Sequence, residues 1–441
     1  MFPSIVSRSR VPKDLASVTV VNQGAEVDAR QLDIEPAGVE QIWRGVERLY
    51  RSGIHPAIQL CLRRHGEVLI DRAIGHASGN GPDDPPQARK VLLTPASPFN
   101  IYSASKAVTA MLIHRLDEQR LLHLNDPVCE YIPEFGAQGK DTITIQHVLT
   151  HRAGIPNLPP DVMRIEALED DQEILQQLCR ARPTWRPGRR LAYHAITGGF
   201  ILGEIVRRVT GKPIREVLRE SILDPLGFRW MSYGVAPRDV SKVVRDYLTG
   251  PPPLPPLSTV LQRALGAPMD RVLEVTNDAR FLTAVVPSGN VVSTANELSR
   301  FYQLLLNGGT LDGVQVFEPR TIRRATQEHS YLEFDLTLVL PLRYAMGFML
   351  GGKTFSLYGP DTAAAFGHLG FTNILSWADP ERQIAGALMT SGKPLVYPEL
   401  YFLHDLMWTI DRVCTKTAPR AQRARRRPAR PRATRPRAAR R

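Results

Sequence analysis

The sequence predicts an α+β fold: an antiparallel β-sheet flanked by N- and C-terminal helices, with an all-helical subdomain inserted between its strands. Three observations lead there. An amphipathic helix and a hairpin pattern come early. A long helical stretch broken by Pro- and Gly-rich loops fills the middle. Strand patterns and a second amphipathic helix come last. A sheet covered by helices of both termini, with a helical insertion, is the arrangement this order favours, and the cleft between two such lobes is a natural place for a site.

The elements follow in order. Residues 1–35 are mixed and polar, a lead-in to a body over 36–413. In VEQIWRGVERLYRSG the apolar residues Val39, Ile42, Trp43, Val46 and Leu49 recur at helical spacing, and Gly53 closes the helix. Two β-type runs flank Arg64, His65 and Gly66, which reads as a hairpin. GHASGNGPDDPPQARK is a loop by composition. A helix over about Ser103 to Gln119 turns Val108, Met111, Leu112 and Leu116 inward. The helical subdomain spans about 136–285. It includes a helix in TITIQHVLTHRAGI ending at Gly154, another in ITGGFILGEIVRRVTG ending at Gly211, and the proline-rich GPPPLPPL. Thr294 and Glu297 form a capping-box pattern before the helix SRFYQLLL. FGHLGFTNILSWADPERQIAGALMTSG reads as two strands about the turn Asp379–Arg382, and PELYFLHDLMWTIDRV as the C-terminal helix.

Bulk properties exclude several function classes. The 441 residues carry a formal net charge of +12, but the stretch 416–441 holds one Lys and eleven Arg with no acidic residue. Without it, 44 basic residues balance 44 acidic ones, so the body is formally neutral. The Arg-rich tail, 416–441, has the composition of a disordered segment. It suits charge-driven contact with nucleic acid or acidic surfaces, and it lacks aromatic residues for base stacking. Cys61, Cys129, Cys179 and Cys414 are spaced for neither zinc nor a disulfide framework and read as free buried thiols, which suits a cytoplasmic protein. No secretory signal or membrane-spanning run is recognisable. His147 and His151 stand four apart without an H-E-x-x-H acid, and read as packing or capping residues; no metal or cofactor is expected.

Three short motifs carry chemistry. The first is the chain's single S-x-x-K, Ser103 to Lys106, where an apolar helix begins. Helical spacing turns Lys106 back toward Ser103, and a neutral amine there takes the hydroxyl proton and makes a nucleophile. A chance S-x-x-K arises on the order of once in a chain this long, so the motif needs company. The second is Tyr193, after a Pro-Gly turn and just before a helix. Its phenol beside a lysine ammonium is expected to fall below its usual pKa and serve as a base. The third is GHLGF, Gly367 to Phe371, where small residues let a substrate lie against the strand, backbone N–H groups receive an oxyanion, and His368 supplies a further donor.

S-x-x-K, then a Tyr motif, then a His-x-Gly strand, in this order, resembles the serine β-lactamase and penicillin-binding-protein superfamily. The likeness is strongest to its class C-like branch of esterases and D-alanyl-D-alanine carboxypeptidases. LNDPVCEYIPEF, ITIQHVLTHRAGI, VVSTANELSRFYQLLLNGG and GHLGFTNILSWADPERQ are phrases of that family in family order, over about residues 35 to 413. The resemblance implies a β-lactamase/transpeptidase-like fold and an acyl-enzyme on Ser103, with Lys106 and Tyr193 sharing acid and base work. It implies an oxyanion hole from the N–H groups of Ser103 and Phe371, with His368 and Gly370 as the third motif, and no metal. Where the family has Tyr-x-Asn, this chain has Tyr193-His194-Ala195. Alanine offers no side-chain hydrogen bond, which disfavours amide substrates, favours an ester, and implies a less firmly held Lys106. The resulting expectation is a carboxylesterase (EC 3.1.1) for short or medium acyl esters, ahead of a β-lactamase, D-amino-acid peptidase or acyltransferase of the same fold. A catalytically weak binding protein using its basic tail is the reading from another class.

Overall fold

The computed structural model describes residues 6–157, 165–168, 170–252, 254–255, 258–259, 262, 265–354, 356–395, 397–398 and 400–417. Most of the Arg-rich tail and part of GPPPLPPL lie outside the described residues. The five longest helices among those described are α1 Pro36–Arg51, α2 Ser105–Glu118, α3 Thr197–Thr210, α4 Ala295–Leu306 and α5 Leu400–Val413. The strands are β1 Thr19–Val21, β2 Ala57–Arg64, β3 Glu67–Ser78, β4 Val91–Leu92, β5 Phe99–Asn100, β6 Ser232–Tyr233, β7 Val291–Ser293, β8 Thr310–Leu311, β9 Val314–Gln315, β10 Ser330–Asp335, β11 Leu340–Tyr344, β12 Met349–Leu350, β13 Phe366–Leu369, β14 Leu375–Asp379 and β15 Ile384–Thr390.

Ten strands make one antiparallel sheet in the order β1-β3-β2-β15-β14-β13-β12-β11-β10, with β4 attached to β3. Termini meet at its centre, where β15 pairs with β2 from Ile384↔Arg64 to Thr390↔Ile58. The central strands alternate between two cores, as the period of two requires. On β2, Ile58, Leu60 and Leu62 join one core with α1 and α5. Ala57 and Cys61 join the other core, with α2, α3 and α4. Each fully buried Leu or Ile stabilises by about 1.5–3 kcal/mol. A three-stranded sheet, β5-β7-β6, ties the start of α2 to the chain on either side of the helical stretch.

The local readings hold at α1, whose stripe Val39, Ile42, Val46 and Leu49 is buried and whose N-terminus carries Pro36. The hairpin at Arg64–Gly66 forms, with Arg64 opposite Glu67. Others change. GHLGF through MTSG contains three strands, because β13 ends at Leu369 and residues 370–374 turn back before β14. The helix of TITIQHVLTHRAGI covers Ile145–Leu149 and stops well before Gly154, and His151 has φ +58°. Half of the capping box forms: Thr294 accepts the Glu297 N–H, but the Glu297 carboxylate accepts from the N–H groups of Arg229, Trp230 and Met231 instead. All four cysteines are free, but only Cys61 and Cys414 are buried, and Cys129 and Cys179 are half-buried. Among the described residues no helix is long and apolar enough to cross a membrane.

Candidate active site

The 3₁₀ turn Tyr102–Ala104 leads into α2, so Ser103 and Lys106 lie one turn apart where the helix begins. Lys106 is buried, and its Nζ stands 3.1 Å from Ser103 Oγ, 2.8 Å from the Ala195 carbonyl oxygen and 3.1 Å from the Ser288 carbonyl oxygen. Burial lowers its pKa from 10.5 to about 7. In the charged form three N–H groups donate to Ser103 Oγ and the two carbonyls; in the neutral form two N–H groups keep the carbonyls and the lone pair is left for the Ser103 hydroxyl. The looser Lys106 expected from Ala195 is therefore corrected: the backbone carbonyl of that alanine is itself an anchor.

Tyr193 lies on the other side of Lys106, whose Nζ sits 4.7 Å from the centre of its ring. The Tyr193 N–H donates to Asp335 at 3.1 Å, which fixes the tyrosine against the tip of the β10–β11 hairpin. Burial raises the Tyr193 phenol above its ordinary pKa; its hydrogen bond with Ser103 opposes the rise, and Asp335 adds to it. The expected depression of this phenol is thus reversed, because desolvation dominates and Lys106, its own pKa lowered to about 7 by burial, is charged only part of the time at neutral pH. Tyr193 is held as a phenol, a donor, while Lys106 is the group poised near neutrality.

Phe371 follows β13, and among the described residues its N–H has no hydrogen-bond partner. Thr372 beside it is at φ +60° and Tyr102 beside Ser103 at φ +49°. Non-glycine residues in this region store about 1–3 kcal/mol each and persist where surroundings fix them, as they do here on both sides of the nucleophile. Two third-motif residues depart from expectation. The Gly370 N–H is committed to the Ile374 carbonyl at 2.7 Å, and a Cβ there would lie 2.7 Å from the Ile101 carbonyl. Gly370 thus permits close packing of the strand end on the Ser103 turn. His368 Nδ1 lies 2.7 Å from the Leu369 carbonyl, and burial, with Lys106 adding, lowers its pKa to about 3. The ring is neutral with its proton on Nδ1, so Nε2 accepts and supplies no oxyanion donor.

Several site residues gave no sequence signal. Ser288 is one. Its loop is pinned by Asn290, whose side chain accepts from the Val286 N–H and donates to the Phe281 and Ala284 carbonyls. Another group stands beneath Tyr102. Its hydroxyl donates to Asp246 at 2.6 Å and meets Thr276 at 3.0 Å, and Asp246 pairs with Lys393 at 3.1 Å, all buried. Burial lifts the Asp246 carboxyl and lowers the Lys393 ammonium, and each opposes the shift of the other. His151 and His194 stack at 5.7 Å, and His151 Nδ1 accepts the His194 N–H at 3.2 Å. His147 caps its helix, with Nδ1 accepting the Thr144 N–H. No group of three metal-ligating side chains occurs among the described residues.

Above Ser103 opens a cavity of about 100 Å³ walled by Ile196, Val272, Val275, Phe281 and Phe371, with Tyr102 at its floor. Its one charged lining residue among the described residues, Arg271, pairs with Glu274 at 2.6 Å. Ser103 and Phe371 thus line a mostly apolar space, and Lys106 touches Ser103 with the Tyr193 ring beside it.

The β-lactamase family profile matches residues 46–401. The esterase/beta-lactamase LipL of Mycobacterium tuberculosis is 30% identical over 306 residues, covering 66% of this chain and 68% of that protein. The penicillin-binding-protein homologue of Caulobacter crescentus superposes with a TM-score of 0.71 at 28% identity, over 85% of this chain and 97% of the other. A family VIII carboxylesterase shares the fold with a TM-score of 0.72 at 24% identity, over the same shares of the two chains.

Proposed function

The chain belongs to the β-lactamase family, a family of serine hydrolases, and on that premise we propose that it is a carboxylesterase acting on uncharged esters of short or medium acyl chains through an acyl-enzyme on Ser103. The observation that carries this is the contact of a buried, near-neutral Lys106 with Ser103, its other two partners both being carbonyls.

The steps follow from that geometry. Lys106 takes the Ser103 proton as Oγ attacks the acyl carbon. The oxyanion is received by the N–H groups of Ser103 and Phe371. As the ester C–O bond breaks, the Tyr193 phenol gives its proton to the departing alkoxide. In the second half, water attacks the acyl-enzyme and gives a proton back to the Tyr193 phenolate, while the Lys106 ammonium returns its proton to Ser103 Oγ. Over the cycle both groups are restored.

Preference for an uncharged ester rests on three features. Ala195 offers no side-chain amide to a peptide bond. His368 is neutral. Among the described residues, the one cation lining the cavity, Arg271, is paired with Glu274. A β-lactam or a D-alanyl peptide carries a free carboxylate, which would find no unpaired cation among these groups. The test is steady-state hydrolysis of p-nitrophenyl butyrate by wild type and Ser103→Ala. The variant should lose at least about two to three orders of magnitude in kcat/KM. Equal, slow rates from both would remove Ser103 from the chemistry. Faster turnover of nitrocefin than of the ester would replace the esterase reading with a lactamase one.

A further inference from the structure

The β10–β11 hairpin is the end of the large sheet, and its two faces differ. The inner face, Asp335, Leu342 and Tyr344, packs on Leu191 and Tyr193. The outer face and tip leave Tyr331, Leu332, Phe334, Leu336, Val339 and Leu340 exposed, Tyr331 by 72% and Phe334 by 52%. Among the described residues these are six of the thirteen large exposed hydrophobic side chains, gathered on fifteen residues of chain. Isolated exposed apolar side chains are ordinary, but such a concentration marks an interaction surface.

A second feature adjoins it. The Leu336 N–H donates to the Leu191 carbonyl at 3.0 Å, which sets the hairpin tip beside the segment RPGRRL. Arg186, Arg189 and Arg190 of that segment are exposed and pair with no carboxylate among the described residues. We propose that the β10–β11 hairpin and this arginine segment form one docking surface for an anionic lipid bilayer. The apolar tip enters the acyl boundary, and the arginines lie at the level of the phosphate headgroups. Apolar side chains bordered by exposed arginines fit an anionic bilayer in both respects, through buried apolar area and charge.

A second copy of the chain fits this surface poorly. The edge strand β10 carries an irregularity between Ser330 and Glu333, with Leu332 at φ +48°, which twists the strand away from edge-to-edge pairing. A two-fold contact centred on the patch would also bring one set of arginines toward its symmetry mate. Docking would place the Tyr193 side of the site at the bilayer, because Asp335 joins the hairpin to Tyr193.

The experiment is flotation of the full chain with vesicles of phosphatidylcholine alone and of phosphatidylcholine with about a third phosphatidylglycerol. Because no turnover is measured, it is independent of the esterase reading. Wild type should float with the anionic vesicles and far less with the neutral ones. The variant Tyr331→Ser/Phe334→Ser/Leu336→Ser/Leu340→Ser should lose at least about tenfold in partitioning. Arg186→Gln/Arg189→Gln/Arg190→Gln should lose on the order of a hundredfold. Both variants keep the Arg-rich C-terminus, so binding carried by that tail alone would leave both unchanged and overturn the proposal. So would equal binding to neutral and anionic vesicles, or a dimer in sedimentation that the serine variant breaks while no vesicle is bound. If the fourfold variant fails to fold, Phe334→Ser alone and the arginine variant decide the matter, since all four side chains are exposed.

Discussion

Raising the pH from about 6 to about 8 should increase kcat/KM for p-nitrophenyl butyrate about tenfold and then level off, because the fraction of neutral Lys106 rises by that factor across a pKa of about 7. An unshifted lysine would be neutral in only about one molecule in three thousand at neutral pH. Burial between the Ala195 and Ser288 carbonyls makes it about one in two. The other titratable groups of the site leave this window clear. His151, His194 and His368 are lowered well below it by burial, and the Tyr193 phenol is raised above it. The assay is initial rate at substrate well below KM, corrected for spontaneous hydrolysis, so that the free enzyme's titration is read. A profile still climbing above about pH 9 would assign the proton transfer to Tyr193 or to an unshifted amine and refute the reasoning, as would a flat one. The same shift has a stability sign. The folded pKa lies below the unfolded one, so the folded state binds fewer protons and stability rises with pH from about 7 toward the ordinary lysine value. Lys106→Met should remove that slope as well as the activity.

Gly199→Ala places a Cβ 2.5 Å from the Ser288 nitrogen, so α3 and the Ser288 segment, whose carbonyl holds Lys106, must move relative to each other; turnover should fall by at least about tenfold, with about 1–3 kcal/mol of destabilisation in thermal melts. Unchanged turnover would show that this carbonyl does not position the amine. Asp246→Asn strands the Lys393 ammonium in the interior and should cost about 3–5 kcal/mol in urea unfolding, with Asp246→Asn/Lys393→Met recovering much of it. A double variant no more stable than the single would argue against a coupled pair. Burial raises Asp411 to about 8, with Arg382 opposing, so the folded state holds a proton that the unfolded state releases, and this group's contribution falls as pH rises from about 4 to about 8. Asp411→Asn should therefore show a smaller drop in Tm between about pH 5 and about pH 8 than wild type; parallel drops would mean that Asp411 is already charged in the folded protein.

Local features were legible because they depend on neighbours in the chain. The α1 stripe, the Arg64–Gly66 turn, the Ser103–Lys106 turn and the Thr294 cap each follow from spacing over a few residues. What escaped depends on distant partners. Glu297 has the residue type of a capping box, yet its carboxylate is drawn to three N–H groups about 67 residues earlier in the chain. Lys393 is written like any surface lysine, and only the fold encloses it with Asp246 and Tyr102. The Tyr193 phenol differs from its expected depression because sequence places a charge nearby, whereas the sign of the shift is set by how much water the fold removes; the His368 donor is lost to a partner one residue away, the Leu369 carbonyl. Ser288 was invisible because its carbonyl, not its side chain, touches Lys106, and every residue has a carbonyl.

That last point bears on inheritance. Where a side chain steadies a reactive amine, a single codon change removes the support. Here two of the three partners of Lys106 are main-chain oxygens, at Ala195 and Ser288. Substituting either residue leaves its oxygen in the chain, and the fold decides where that oxygen points. The identity at position 195 is thereby released from the task of holding the amine, and its side chain is free to be selected for whatever enters the cleft.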